Sequence, residues 1–381
     1  MTRPISFLPT RVEALNRAAG VDPARYARSR NFLTGDVTRL SPYITHGFIA
    51  IPELLESIHA RRALSWEHKL AFEFGWREYF HHVWDRVGTG IWREQQAPPG
   101  SGYAESVPED IRTASTGVAI IDQQVRELYA HGYLHNHARM WIASYVVHIR
   151  KVSWRAGANW MYSHLLDGDL ASNTLSWQWV AGTWTGKPYL FNAENVLRYA
   201  PGVDCSGSVI DTTYEALDAM ARSNKAAVSP RPLLVEPVVE PPCFALPPAQ
   251  HTQTVDSPES EVVWLMHPWS LYLPDERAAV GVINTDFHAR YPWSLLRWQF
   301  VMDAMRSRCT RVLVGTTEAL VAALAGTNAQ AISTLNPNYD ELLRRLAPNA
   351  LSAPRAFANP TLLKRSFTSF WNAVSREKFP A

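Results

Sequence analysis

Between Gly132 and Trp179 the chain gathers asparagine, histidine, arginine, aspartate and several tryptophans within fewer than fifty residues. Asp167, Asp169 and Asn173 fall at i, i+2 and i+6, and Trp177 and Trp179 follow four and six residues after Asn173. One turn and the helix after it would therefore carry carboxylates, an amide and indoles together. Charges in such apolar company need partners, because burying one alone is costly. Arg139 is the natural partner for Asp167. A flat heteroaromatic ligand with donors and acceptors on its edge would satisfy the remainder, and a flavin fits that description.

The frame that must position these residues can be read from bulk properties first. The chain has 381 residues, whereas single cores rarely grow beyond about 250 to 300, so two domains are expected. Hydrophobic residues make up 46% and charged residues 19%, the balance of a soluble globular protein. Cys205, Cys243 and Cys309 are odd in number and lack CxxC spacing, which argues against a disulfide framework or a four-cysteine cluster and for a reducing cytoplasm. No charged leader with an apolar run opens the sequence, and no apolar run approaches the ~20 residues of a membrane span, so a cytoplasmic protein without membrane contact is expected. Lys and Arg number 37 against 35 Asp and Glu. Nucleic-acid binding would have to come from a local basic face rather than from net charge.

Residues 1–222 read as mostly helical. KLAFEFGWREYFHHVWDRV spaces Leu70, Phe74, Tyr79 or Phe80 and Trp84 along one helical face, and IIDQQVRELYAHGYL repeats the pattern. Ten of the fifteen tryptophans lie here. Residues 223–261 are rich in proline, which excludes helix interiors and favours an extended linker. From 262 to 358, runs such as VVWLM, AAVGVIN and RVLVG alternate with helical patterns, predicting a small parallel α/β domain, followed by a connector-like helix at 359–381. No GxGxxG or Walker sequence marks it as nucleotide-binding. The fold class expected is thus α plus α/β, an all-helical domain followed by a parallel-sheet domain.

Five motifs in register carry a specific resemblance: Val37-Thr38-Arg39-Leu40-Ser41-Pro42-Tyr43, Glu73-Phe74-Gly75-Trp76-Arg77-Glu78, Thr116-Gly117, His135-Asn136 with Arg139-Met140, and Asp167-Gly168-Asp169-Leu170-Ala171-Ser172-Asn173 with Trp177-Gln178-Trp179. Together they resemble the flavin-binding domain of the DNA photolyase and cryptochrome family. The resemblance implies FAD, with its pyrophosphate held by Thr38, Arg39, Leu40 and Ser41 and supported by Tyr26 and Arg77. It places Asn136, Arg139, Asp167, Asp169 and Asn173 at the isoalloxazine end, Asn173 facing N5. Glu73, Trp76, Asn136, Met140 and Trp179 match the lesion-facing set of cyclobutane pyrimidine dimer photolyases, whereas (6-4) enzymes carry histidine at the positions of Asn136 and Met140. Trp177 and Trp154 have the spacing of the inner electron-transfer tryptophans, with Tyr103 a candidate for the outermost member.

The departures from the family pattern are specific. His137 stands where close relatives carry a DNA-contacting arginine, Ala119 replaces a proline, and GTWTGKPYLFNAENVLRYAP differs from the usual end of the domain. Arg77 and His137 are candidate helpers near the lesion; Arg150, Lys151 and Lys187 are candidate phosphate contacts. Val262-Val263-Trp264-Leu265 resembles the family's first antenna strand and Phe367-Thr368-Ser369-Phe370-Trp371 its connector, so the resemblance implies a circularly permuted arrangement. Met266-His267-Pro268 stand where arginines are usual, and no antenna chromophore is expected. The implied function is light-dependent repair of cyclobutane pyrimidine dimers by electron transfer from photoexcited reduced FAD to a flipped-out dimer. The partner would be UV-damaged DNA, single- or double-stranded, with no obligate protein partner and no metal. The alternative is a cryptochrome-like photoreceptor without repair activity.

Overall fold

The structure, a computed structural model, describes residues 6–230, 235–248, 262–273 and 279–374. The end of the expected linker at 249–261 and the last residues of the connector, 375–381, lie outside the described residues. Helices dominate up to Arg222, and their ends follow local chemistry. Thr10 caps the helix Arg11–Ala19 by accepting from the Glu13 N–H, and Asp22 caps Pro23–Ser29 by accepting from the Arg25 N–H. Ala119–His131 and Leu170–Ala181 each stop at a glycine with positive φ, Gly132 at 61° and Gly182 at 77°. The expected helix around Trp76 spans Lys69–Val87 and buries Leu70, Phe74, Tyr79 and Trp84. Asn136–Ser144 runs directly into a π-helical turn, Tyr145–Ile149.

Six strands are present among the described residues: β1 (Cys243–Phe244), β2 (Val262–Met266), β3 (Ala279–Asn284), β4 (Trp293–Ser294), β5 (Cys309–Gly315) and β6 (Asn328–Gln330). Four make a parallel sheet in the order β5-β3-β2-β6, with Leu265 opposite Val280 and Val263 opposite Ala329. Strand β3 is buried at every position, as its uninterrupted apolar run requires in a parallel sheet. The helix Leu295–Arg308 precedes β5, and Thr317–Ala323 and Pro337–Leu346 flank β6.

The proline-rich segment is docked where it is described. Strand β1 pairs antiparallel with β4, and Glu240 accepts hydrogen bonds from Arg112 at 2.7 Å and Trp160 Nε1 at 3.0 Å. One continuous apolar core joins the N-terminal helices to the sheet and to the helix Phe367–Val374, and a second lies under residues 107–217. Gly75 lies against the C-terminal helix. A Cβ there would lie 2.2 Å from the Trp371 ring, so glycine is required by contact.

Candidate functional site

The turn before Leu170–Ala181 is built around two buried aspartates. Asp169 is the helix N-cap, accepting from the Ser172 N–H at 2.9 Å and the Ser172 hydroxyl at 2.5 Å. His81 Nε2 lies 2.9 Å from its other oxygen, and an Arg77 nitrogen lies at 3.9 Å. Burial pushes the Asp169 carboxyl up, but His81, Arg77 and Ser172 together hold it well below the usual carboxylate range. Asp167 accepts from Arg139 at 2.7 Å through Oδ2, and the same guanidinium donates to the Leu134 carbonyl at 3.0 Å. Burial again opposes ionisation and Arg139 restores it, leaving the Asp167 pKa lowered.

Asn173 sits one turn into the helix, where its Nδ2 donates to the Ala158 carbonyl at 2.9 Å, which fixes the amide orientation. Ser172, Ser176 and Trp179 lie at i, i+4 and i+7 along the accessible stripe of that helix, with Asn173 beside them. Arg77 donates to the Thr45 hydroxyl at 3.0 Å besides facing Asp169, so its observed contacts bridge the helix Ser41–Thr45 and the aspartate turn.

The Thr38–Ser41 loop has a strained centre. Arg39 has φ of 50°, a conformation that non-glycine residues seldom adopt. Thr38 Oγ1 accepts from the Leu40 N–H at 3.4 Å, and the short helix Ser41–Thr45 starts without a side-chain cap. Tyr26 is half-buried, its phenol pushed up by burial and by the nearby charge of Glu73. Tyr133 connects the two regions electrostatically: Arg139 lies 5.6 Å over its ring, while burial, offset by Arg139 and Arg39, takes its hydroxyl up to about 12.

A cofactor can be tested against groups that the protein leaves unmatched. Asp167 Oδ1, Arg39 Nε and His135 Nε2 are buried without a close hydrogen-bond partner among the described residues. Buried polar atoms are nearly always paired, so an acceptor and a guanidinium donor without partners fit a ligand with an N–H edge and an anionic link. The residues present therefore suit FAD.

The lesion-facing candidates divide into open and covered groups. Glu73 has a side chain 44% exposed, with Arg30 at 3.7 Å. Desolvation raises its pKa, with Arg30 and Lys69 opposing. Trp179 is 38% exposed and tilts against Tyr189 at 5.7 Å. Asn136 is exposed, with its amide 3.6 Å from Met140 Sδ. Trp76 instead stacks on Phe367 at 4.0 Å and 10°, so one face of this indole is covered by the C-terminal helix.

Trp177 is buried with its ring against Gly157, where a Cβ would approach the indole to 2.3 Å. Gly157 is three residues after Trp154 on the helix Trp154–His164, so the glycine brings the second indole's helix onto the first indole. Trp154 Nε1 donates to Glu94 at 3.0 Å and lies 4.7 Å from the Arg155 guanidinium. Tyr103 is half-buried, its hydroxyl accepting from the Gly100 N–H at 3.3 Å, and Lys151 lies 5.5 Å from its ring.

Two candidates for DNA phosphate are corrected by the structure. Arg150 is buried and paired with Asp110 at 2.6 and 3.1 Å, and Lys151 is buried with its ammonium on the Ala221 carbonyl at 2.6 Å. Lys187 is exposed. His137 is half-buried among aromatic rings, 5.9 Å from Trp141 and 5.2 Å from Tyr199. Residues around the site that the sequence reading did not name are Arg30, Thr45, His81 and Tyr133. His81 was detectable, because it follows Arg77 by one helical turn; Thr45 and Arg30 reach their partners only through tertiary contact.

The helical region thus combines buried, paired carboxylates at Asp167 and Asp169 with an exposed carboxyl at Glu73 and an exposed indole at Trp179. Comparison supplies the lineage. The family described as the FAD binding domain of DNA photolyase matches residues 70–232. A deoxyribodipyrimidine photo-lyase of Streptomyces griseus is 33% identical over 166 residues, 42% of this chain and 36% of that protein. Another from Agrobacterium fabrum is 28% identical over 228 residues, covering 56% and 47%, and a cryptochrome DASH from Ostreococcus tauri is 30% identical over 203 residues, covering 51% and 37%. Each match spans less than half of the relative's own length. Over residues 70–232 the chain is therefore similar to the flavin-binding domain of the photolyase and cryptochrome family. Its FAD-binding domain supports FAD as the cofactor.

Proposed function

We propose that the protein repairs cyclobutane pyrimidine dimers in DNA in a light-dependent reaction. The reading is carried by the pairing of an FAD-type site with accessible polar and aromatic groups in the same helical region: Glu73 and Trp179 stay exposed while Asp167 and Asp169 are buried. When bound, FAD supplies absorption of blue light and the electron that opens the cyclobutane ring. Arg139, Asp167, Asp169 and Asn173 orient its ring system, with Asn136 at the same end, and Thr38, Arg39, Leu40 and Ser41, aided by Tyr26 and Arg77, hold its phosphates. Trp179 packs against the extruded dimer, since a base-sized ring gains about 1–3 kcal/mol from such stacking. Glu73 hydrogen-bonds a base edge, and its raised pKa makes the protonated, donating form more accessible. Met140 and the open face of Trp76 complete the apolar wall. Trp177 and Trp154, with Tyr103 beyond them, provide oxidisable rings from the core outward.

A second reading is a photoreceptor without repair, and the observation favouring it is the stacking of Phe367 on Trp76. The decisive experiment uses flavin-reduced protein with a thymine-dimer oligonucleotide, in single- and double-stranded form, in blue light and in darkness. Light-dependent return of intact thymines supports repair. Photoreducible flavin with no repair of either substrate favours the photoreceptor.

A further inference from the structure

The backbone of the aspartate turn is held at three successive carbonyls, all by side chains from elsewhere. His46 Nε2 lies 2.9 Å from the Leu166 carbonyl while its Nδ1 lies 2.6 Å from the Pro268 carbonyl, which follows β2. The Thr45 hydroxyl donates to the Asp167 carbonyl at 3.1 Å. Arg297, on the helix Leu295–Arg308, donates through Nη2 to the Gly168 carbonyl at 2.7 Å. The Arg297 grip thus leads to the sheet half of the molecule, and His46 stands between the turn and the segment after β2.

Arg297 is unusual for a guanidinium. It is fully buried, lies 3.8 Å over the Trp293 ring and 5.0 Å over Tyr162, and has Asp167 and Asp169 as the nearby acidic charges. Gly168 permits the approach: a Cβ there would meet Arg297 Nη1 at 2.4 Å and the Tyr162 carbonyl at 3.0 Å. Burying a charge this deeply is costly, and ordinary packing between two domains does not require it.

We propose that Arg297 is a positioning residue through which the sheet domain clamps the Asp167–Asp169 turn, so that the carboxylate geometry beneath the cofactor depends on both halves of the chain. The cofactor part rests on the FAD reading above; the clamp itself does not.

The test uses full-length Arg297→Met, which keeps bulk but removes the donor and charge, Arg297→Lys, which keeps both, and Gly168→Ala, which attacks the contact from the other side. Hydrogen–deuterium exchange of the 165–172 segment is measured without flavin, and the FAD dissociation constant with it. A lost hydrogen bond to a charged group predicts a rise of about 10- to 100-fold in local exchange and in dissociation constant for Arg297→Met and Gly168→Ala, with strand β3 unchanged and with substantial rescue in Arg297→Lys. Unchanged exchange at 165–172 in either disruptive variant overturns the clamp. So does a rise shared equally by β3, which marks a merely structural role. Failure of the wild-type protein to bind FAD would sink the FAD reading, and the exchange result would still decide the clamp.

Discussion

Asp169 and Glu73 are both carboxylates near arginines in the same helical region, and the fold treats them in opposite ways. Asp169 is 7% exposed and has a backbone N–H, a hydroxyl, His81 and Arg77 around it, so it stays ionised despite burial. Glu73 has a side chain 44% exposed, with one arginine at 3.7 Å, and its pKa rises. Redundant partners make the floor of the site rigid before any ligand arrives. The mouth keeps unspent hydrogen-bonding capacity, which is what a site needs where a second ligand must enter and leave.

The largest effect expected from breaking this contrast is at Arg139. Arg139→Met removes the guanidinium that pairs with buried Asp167, and removing one member of a buried pair costs about 3–5 kcal/mol. Thermal unfolding and flavin absorbance of the purified variant should show a lower Tm and little retained FAD. An unchanged Tm with full flavin would erase the distinction between floor and mouth.

Asp169→Asn comes next, because it removes the charge that His81 and Arg77 meet while leaving a cap of the same shape. A loss of about 1–2 kcal/mol in urea unfolding at pH 7 is expected. The wild-type carboxyl titrates below its ordinary 3.8, so its contribution is complete above that value and is lost as pH falls through the folded-state pKa. The gap between wild type and variant should therefore narrow in acid, and a gap that widened would contradict the assignment.

At the mouth the pattern inverts. Trp179→Ala should cost about 1–2 kcal/mol, less than Arg139→Met, yet weaken binding of a dimer-containing oligonucleotide by about 5- to 100-fold, measured by fluorescence anisotropy. Glu73→Gln should have the smallest effect on stability. For an acid with a raised folded-state pKa, stability falls as pH rises from the ordinary 4.5 through the raised value, so the amide variant should be as stable as wild type or slightly more so at neutral pH while repairing more slowly. Denaturant titration at pH 7 and pH 4 checks the sign.

Much of the scaffold was legible because it is written locally. The spacing of Leu70, Phe74 and Trp84 marks their helix, and the apolar runs of β2, β3 and β5 announce a parallel sheet. The pairing of Arg139 with Asp167 was also readable, since a buried carboxylate demands a cation. What could not be read depends on long-range contact. Trp76 meets Phe367 across most of the chain, and Arg297 finds Gly168 from 129 residues away. Arg150 and Lys151 seemed suited to phosphate because basic residues are usually exposed, but Asp110 and the Ala221 carbonyl draw them inside. The proline-rich stretch has the composition of a free tether, yet Glu240 and β1 tie part of it down.

The division of labour between floor and mouth is tested most directly by measuring flavin occupancy and blue-light dimer repair on the same samples of wild type, Arg139→Met and Trp179→Ala. The account predicts that Arg139→Met loses flavin and repair together, whereas Trp179→Ala keeps its flavin and loses repair. Flavin loss in Trp179→Ala, or full flavin in Arg139→Met, would contradict it.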